Sequence, residues 1–211
     1  MTNPMDNPWV TVPAADYERH MEHESVRQGE MIRKHLARCL ERFEPESLLY
    51  LGAGVGNGLE NARVSRLRDI LAVDVNAEYL ATLHDRFETL GTLRTERCSF
   101  PEGFRDAARF DMAYGPLFFE YVDLESALIT VAARLARKGH LAVLLQQPSE
   151  QGHMTDTGVT AMEAVVPVMT LRDPGAFVDV AYRVASLVPV ATEDVVSPCG
   201  KPFREIILQK A

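Results

Sequence analysis

The sequence is poor in cysteine. Its 211 residues include three cysteines, Cys39, Cys98 and Cys199, and none of them belongs to a CxxC pair. An odd number of widely spaced cysteines argues against a disulfide framework and against a structural zinc site. We therefore predict a protein of a reducing compartment that binds no metal.

Basic charge and long apolar runs are also scarce. Acidic side chains outnumber basic ones by 30 to 22, so the formal net charge is −8, whereas proteins that wrap a nucleic-acid backbone need clustered Lys and Arg. No uncharged apolar segment approaches the roughly 20 residues of a membrane span. The start of the chain has no basic cluster before an apolar core, unlike a signal peptide. The sequence thus predicts a cytoplasmic protein with no nucleic-acid partner and no membrane partner.

The remaining composition is that of a globular protein, with 46% apolar and 25% charged residues. Residues 1–13 contain Asn-Pro pairs and are predicted to form an irregular arm. From Asp16 to Phe43, apolar residues recur at steps of three and four, which predicts helical structure with a break at Gly29. Pro45 ends this helical segment.

Strand and helix patterns alternate through the middle of the chain. Short apolar runs predict five buried strands, at 48–51, 69–75, 93–100, 110–114 and 140–146. Between them, helical patterns occupy about 57–67, 77–90 and 124–137. Lys138-Gly139 is expected to close the last of these helices. Alternation at this spacing predicts βαβ units and a parallel sheet.

The last third of the chain departs from this alternation. Residues 148–170 are polar at first and apolar later, which predicts a lid-like insertion. Asp173-Pro174 predicts the start of a helix that runs to about Leu187. Two further strands are joined by a turn-forming segment and form a hairpin, at 188–196 and 203–209. The predicted sheet therefore contains at least one antiparallel strand.

The most specific motif is a glycine-rich loop directly after the first predicted strand. Residues 52–58 read Gly-Ala-Gly-Val-Gly-Asn-Gly. Glycines at such a place allow a tight turn and a close approach of a ligand to the main chain, and the amides of the following helix point at that ligand. The spacing does not fit the GxGxxG dinucleotide fingerprint, whether it is counted from Gly52 or from Gly54.

A carboxylate follows the second predicted strand. Asp74 lies 22 positions after Gly52, where it can accept hydrogen bonds from the hydroxyls of a ribose. Nicotinamide enzymes place an acid similarly, so Asp74 indicates a ribose ligand without separating two classes of cofactor. An aspartate at this place can also be only the N-cap of the next helix.

These features resemble the class I S-adenosylmethionine-dependent methyltransferases, whose glycine loop reads GxGxG. The resemblance covers about residues 46–147 and extends more loosely to the end of the chain. It implies an α/β, three-layer Rossmann-like fold with a seven-stranded, mostly parallel sheet of order 3-2-1-4-5-7-6, closed by an antiparallel last strand. It also implies a core at 46–211 behind an N-terminal arm and cap helix at 1–45.

The resemblance further implies a site for S-adenosylmethionine. The residues at the family's cofactor positions are Tyr50, Gly52, Ala53, Gly54, Gly56, Asn57, Asp74, Val75, Ser99, Phe100, Tyr114 and Gly115. Tyr50 replaces the acid that the family usually carries before the first glycine, and Cys98-Ser99-Phe100 replaces its adenine-contacting acid. The Asn or Asp of the nucleic-acid amino methyltransferases is missing at Gly115, which favours a small-molecule acceptor.

Candidates for the chemistry lie in the N-terminal helix and after the fourth strand. Tyr17 and His20 share a helix face, and in methyltransferases with such a helix it caps the cofactor cleft. His20 is the first candidate for a base and Glu120 the second, while Tyr17 is placed to contact cofactor or acceptor. An ordinary amphipathic helix is the alternative for Tyr17 and His20.

The activity implied by the resemblance is methyl transfer to a small-molecule acceptor, without a metal. Two alternatives stay open at this point. One is a nicotinamide-dependent oxidoreductase, since Asp74 suits both cofactors. The other is a protein that binds a cofactor but transfers nothing, since Tyr50 and the replaced adenine-contacting acid depart from the family's pattern. The oligomeric state is also open, and a homodimer is one option.

Overall fold

A computed structural model describes residues 7–90, 92–150 and 152–211. Within these residues, seven strands form one sheet, and their bounds are β1 Ser47–Leu51, β2 Asp69–Asp74, β3 Leu93–Arg97, β4 Phe110–Pro116, β5 Leu135–Gln146, β6 Leu187–Val196 and β7 Pro202–Lys210. The strand order is β3-β2-β1-β4-β5-β7-β6. The predicted α/β sheet and its order are confirmed.

All pairings among β1 to β5 are parallel, whereas β7 is antiparallel to both of its neighbours, β5 and β6. The central strands are apolar throughout because both faces of the sheet are covered, and Leu48–Leu51 is at most 1% exposed. Strand order reverses between β1 and β4, so the chain crosses over to opposite faces there. This reversal opens a crevice at the carboxyl ends of the strands, where α/β proteins bind ligands.

Five α-helices accompany the sheet in the described part of the chain, at α1 Ala14–Glu22, α2 Gln28–Phe43, α3 Ala77–Phe87, α4 Leu124–Arg134 and α5 Pro174–Ala185. One face of the sheet packs against α2 and α3, through Leu36 and Leu83. The other face packs against α4 and α5, through Leu128 and Phe177. The molecule therefore has three layers, as predicted. No helix among the described residues is long and apolar enough to cross a membrane.

Ala14 and other side chains near α1 pack at the carboxyl edge of the sheet instead of against either face. A third apolar cluster there joins Ala14 to Tyr79 of α3 and to Met162. Met162 belongs to a 3-10 segment, Thr160–Val168, within the predicted lid. The start of the chain and the lid thus meet above the crevice.

The helical segment is divided into two helices, as predicted, but the division lies at 23–27 and not at Gly29. The chain leaves α1 after Glu22 and re-enters a helix at Gln28, where Arg27 adopts a left-handed conformation with φ 47°. Gly29 lies inside the first turn of α2. A Cβ at this position would meet the end of the flexible Glu22 side chain, and the glycine does not end a helix.

The helix predicted at 124–137 is too long. It ends at Arg134, and β5 begins at the next residue. Lys138 has φ 63° and lies inside β5, near the place where the register with β4 shifts. The Lys-Gly pair is therefore a strand irregularity and not a helix terminus, because pairing with β4 outweighs the local helix-ending signal.

Two shorter predictions also need correction. The helix predicted at about 57–67 is a 3-10 segment, Leu59–Val64, that begins after the left-handed Gly58. The strand predicted to reach Phe100 ends at Arg97, since the chain turns there toward the crevice. Predicted arm residues 1–6 lie outside the described residues, and the rest of the arm contains a 3-10 turn, Pro8–Val10.

Candidate functional site

The glycine loop joins the end of β1 to the crevice. Gly52 has φ 58° and Gly54 has φ 54°, values that side-chain-bearing residues rarely adopt. A Cβ on Gly54 would come within 3.1 Å of the Tyr17 hydroxyl, and one on Gly52 within 2.7 Å of the Phe118 ring. The missing side chains therefore keep a narrow space open between the loop, α1 and the segment that follows β4.

Asp74 closes the floor of this space from the end of β2. Its Oδ2 accepts a hydrogen bond from the Gly54 amide at 2.9 Å, and its Oδ1 accepts one from the Asn76 amide at 2.9 Å. Burial raises the pKa of this carboxyl, although both amides counteract the rise. Asn76, not Asp74, is the N-cap of α3. The capping alternative for Asp74 is therefore wrong.

One cavity runs along the carboxyl edge of the sheet and brings most of the predicted site together. It is lined by nine of the predicted residues, Tyr17, His20, Tyr50, Gly52, Gly54, Asp74, Val75, Ser99 and Phe100. Asp74 and Val75 lie at the end of β2, and Ser99 and Phe100 follow β3. His20 lies on α1, so the cap helix contributes directly to the wall.

Five predicted cofactor residues of the glycine loop and β4 lie outside this lining, Ala53, Gly56, Asn57, Tyr114 and Gly115. The Ala53 amide donates to the Val73 carbonyl at 3.0 Å, which holds Ala53 against β2. A Cβ on Gly56 would stand 2.6 Å from the Phe87 ring, so this glycine lets α3 pack against the loop. Gly115 faces the Phe119 ring in the same way, at 3.0 Å.

Another of these residues, Tyr114, points toward the layer formed by α2 and α3. Its hydroxyl donates to the Ile32 carbonyl at 3.2 Å and lies 3.0 Å from His35 Nδ1. The tyrosine is fully buried. It anchors α2 to the sheet, so its predicted contact with a cofactor is not supported by its position.

Tyr50 and Asn57 support the loop instead of filling the cavity. The Tyr50 hydroxyl donates to the Asn57 carbonyl at 2.8 Å, and the Asn57 side-chain amide donates to the Tyr17 hydroxyl at 3.4 Å. Asn57 therefore lies behind the cavity lining, contrary to its predicted direct contact with the cofactor. Burial raises the pKa of the Tyr17 hydroxyl, so Tyr17 stays neutral and can only donate or accept hydrogen bonds.

His20 faces the other end of the cavity. It is 3% exposed, and its Nδ1 lies 2.9 Å from the Thr157 hydroxyl of the lid. Burial lowers the pKa of His20 to about 4, helped by the nearby Lys201 and His23. The imidazole is therefore neutral near pH 7. When the proton is on Nδ1 and donated to Thr157, the lone pair of Nε2 is free for a ligand.

Lys201 and Gln146 belong to this end of the cavity, and the sequence did not point to either. Lys201 Nζ donates to the His153 carbonyl at 2.8 Å, and Gln146 Nε2 donates to the same oxygen. Both side chains are 3% exposed. A lysine in a predicted hairpin turn suggests solvent exposure, so no local signal marks Lys201 as a cavity residue.

Glu120 lies behind the cavity wall. Its Oε1 accepts a hydrogen bond from the Gln146 amide at 2.8 Å, while its buried Oε2 has no hydrogen-bond partner in the described part of the chain. Burial raises the pKa of this carboxyl to about 7. Because Glu120 is absent from the cavity lining, its position does not support the predicted role as a base.

The raised pKa of Glu120 leads to a prediction about stability. The folded protein holds the Glu120 proton up to about pH 7, whereas an unfolded glutamate releases it near pH 4.5, so stability falls as pH rises through this window. Glu120→Gln removes this dependence. Relative to wild type, the variant should gain roughly 3 kcal/mol in free energy of unfolding between pH 4.5 and 7.5.

Urea unfolding at several pH values measures this difference. Glu163→Gln, at an exposed position, is the matched control for loss of a carboxyl. A stability difference between wild type and Glu120→Gln that stays constant over the whole window would contradict the prediction.

No protein family model and no curated protein matches the chain. Solved structures do match it over most of its length. Magnesium protoporphyrin IX methyltransferase from Synechocystis, with bound S-adenosylhomocysteine, is 8% identical with a TM-score of 0.74, and the match covers 98% of each chain.

Two further structures show the same likeness. The 1,6-didemethyltoxoflavin-N1-methyltransferase of Burkholderia thailandensis is 20% identical with a TM-score of 0.67, over 100% of this chain and 92% of the other. Geranyl diphosphate C-methyltransferase from Streptomyces coelicolor is 15% identical with a TM-score of 0.65, over 86% and 82%. Together with the strand order, these matches show that the chain has the Rossmann-like fold of the class I S-adenosylmethionine-dependent methyltransferases.

Proposed function

We propose that the protein transfers a methyl group from S-adenosylmethionine to a small-molecule acceptor. The observation that carries this proposal is the 2.9 Å hydrogen bond between the Gly54 amide and the Asp74 carboxylate on the cavity floor. It brings a glycine loop that a Cβ would obstruct together with a buried acid. That combination suits a ligand with a ribose and a main-chain-contacting tail. The matched solved structures carry S-adenosylhomocysteine on the same fold.

The lining residues divide naturally between the parts of this cofactor. Gly52 and Gly54 would lie against the methionine part, where close approach to the main chain is needed. Asp74 would accept from the ribose hydroxyls. Ser99 and Phe100, which follow β3 and line the cavity, would flank the adenine. Together with Val75, these residues form the proposed cofactor site.

S-adenosylmethionine supplies a methyl group on a positively charged sulfur, which is already activated for transfer. The protein must then hold the acceptor near that carbon and exclude water, and proximity alone can contribute roughly 7–11 kcal/mol. The cap helix and the lid meet above the crevice and shield it from solvent. An oxygen or nitrogen acceptor that loses its proton can pass it to the neutral His20.

Isothermal titration calorimetry with S-adenosylhomocysteine and with NADH tests the cofactor assignment. We expect S-adenosylhomocysteine to bind with a micromolar dissociation constant and NADH to show no saturable binding. The antiparallel β7 beside β5 also argues against a nicotinamide enzyme, since Rossmann dehydrogenases lack such a strand. Preferential NADH binding would refute the methyltransferase proposal. Binding of S-adenosylhomocysteine without turnover of any acceptor would indicate a catalytically silent protein.

A substitution of His20 tests the proposed base. His20→Ala should lower kcat about 10²–10⁴-fold on the acceptor found by screening, while the affinity for S-adenosylhomocysteine stays within about two-fold. Because burial holds the pKa of His20 at about 4, kcat should not titrate with this group between pH 5 and 7.5. His84→Ala, at an exposed position on α3, is the matched control. An unchanged kcat in His20→Ala would exclude the base role.

The other partner assignments remain predictions of the sequence. A small acceptor is consistent with a cavity whose polar side chains His20, Gln146 and Lys201 are all at most 3% exposed. The absence of a nucleic-acid partner, the cytoplasmic location, the homodimer and the division at residue 45 stay predictions of this kind.

A further inference from the structure

The charges that line the cavity are few and far apart. Among its described lining residues, Asp74 is the only carboxylate and Lys201 is the only Lys or Arg side chain. Asp74 ends β2, and Lys201 directly precedes β7, whose Phe203 pairs with Gln146 at the end of β5. Four strand spacings separate β2 from β7 in the sheet, so these two strands lie on the order of 19 Å apart.

Lys201 has no acidic partner among the described residues. Its ammonium group donates to one main-chain carbonyl, that of His153, at 2.8 Å. An ammonium group has three N–H donors, so two of them have no acceptor among residues 7–90, 92–150 and 152–211. Since a buried cation without a counter-charge is costly, and the side chain is 3% exposed, a ligand that supplies the negative charge would be favoured.

The surroundings of Lys201 indicate the kind of anion. Gln146 Nε2 and Lys201 Nζ converge on the same carbonyl oxygen, so a second polar donor group lies beside the ammonium. A single cation balances a single negative charge, which suits a carboxylate better than a doubly charged phosphate ester. Two apolar side chains of the cavity lining belong to this end: Met154 follows His153 in the chain, and Leu117 is held beside β5 by its amide, which donates to the Leu144 carbonyl at 2.9 Å. An apolar molecule with one acidic group would match this part of the lining.

We propose that the methyl acceptor is an organic acid with an apolar body, and that Lys201 binds its carboxylate with Gln146 beside it. This proposal deepens the proposed function and rests on it. Asp74 then recognises the cofactor at one end of the cavity, while Lys201 recognises the acceptor at the other. His20, which is close enough to Lys201 for the cation to lower its pKa, lies beside the anchored acid.

The test compares acids with their uncharged counterparts. Benzoate, phenylacetate and 3-phenylpropionate, their primary amides, and phenyl phosphate are titrated against the full chain by ligand-observed NMR, with and without S-adenosylhomocysteine. We expect at least one acid to bind 10-fold or more tightly than its amide. Lys201→Met should abolish that preference and leave amide binding within about two-fold, while Lys201→Arg should retain part of it.

Lys34→Met is the matched control, because Lys34 lies on α2 with a side chain 71% exposed. It should leave the acid preference unchanged. The proposal is overturned if no acid binds better than its amide, if phenyl phosphate binds better than every acid, or if Lys201→Met keeps the preference. Should Lys201→Met fail to fold, Lys201→Gln and the acid-to-amide comparison on wild type decide the matter.

Failure of this proposal is distinguishable from failure of the proposed function. S-adenosylhomocysteine should bind wild type and Lys201→Met with equal affinity, because Lys201 lies at the far end of the cavity from Asp74. Binding of S-adenosylhomocysteine without any acid preference overturns the acceptor class alone. Loss of S-adenosylhomocysteine binding in wild type overturns the cofactor assignment, and the titrations without it still test the carboxylate site.

Discussion

Gly54→Val should abolish detectable binding of S-adenosylhomocysteine, with an increase in dissociation constant of more than about 100-fold. A Cβ at this position already comes within 3.1 Å of the Tyr17 hydroxyl, and the two methyl groups of valine would occupy the space left for the ligand. The left-handed φ of 54° adds backbone strain of about 1–2 kcal/mol. Calorimetry of the purified variant measures the affinity, and thermal unfolding measures the strain.

A substitution at a second glycine separates the effect of backbone strain from the effect of the lost space. Gly152 has φ 72°, and a Cβ there would meet nothing within 4 Å. Gly152→Val should therefore show comparable strain but unchanged affinity for S-adenosylhomocysteine. If Gly54→Val binds the cofactor as wild type does, the glycine loop is not the cofactor site and the proposed function fails.

Asp74→Asn should weaken binding of S-adenosylhomocysteine by roughly 30- to 1000-fold, which corresponds to about 2–4 kcal/mol. The carboxylate holds the amides of Gly54 and Asn76 with its two oxygens, and an asparagine can accept through only one. The substitution also removes the negative charge proposed to receive the ribose hydroxyls. Part of the lost affinity will therefore come from disturbance of the glycine loop, and part from the lost contact with the ribose hydroxyls.

Asp69→Asn is the matched control for Asp74→Asn. Asp69 begins the same strand, and its exposed carboxylate pairs with Arg94 at 3.0 Å, away from the cavity. Because exposed ion pairs contribute about 0–1 kcal/mol, this variant should fold normally and bind S-adenosylhomocysteine as wild type does. Equal affinities in the two variants would exclude a ribose-binding role for Asp74.

Much of the cofactor end of the site was predictable because its signals are local. A buried strand followed by glycines places Gly52 and Gly54 at a carboxyl edge, and the next strand places Asp74 beside them. Parallel pairing of neighbouring strands brings their ends together without further information. The same local reasoning predicted cofactor contacts for Gly56 and Tyr114, which lie outside the cavity lining. Sequence alone does not show whether a residue of the loop or strand faces the ligand or a helix.

The acceptor end was less predictable because it is assembled from distant segments. His20 was a candidate on helical spacing, but its bond to Thr157 depends on how the lid folds over α1. Lys201 and Gln146 meet only because β7 inserts antiparallel beside β5. Glu120 meets the Gln146 amide because β4 and β5 are parallel neighbours, so the segment after β4 lies beside the end of β5.

The amino-acid sequence by itself determined the alternation of strands and helices, the glycine loop and the acid that follows the second strand. Hydrophobic period and turn residues act over a few positions, so they can be read along the chain. Tertiary structure alone decided which polar groups face the cavity and which are buried behind it. Those positions depend on packing between segments far apart in the chain, which also buries Lys201 in the cavity wall.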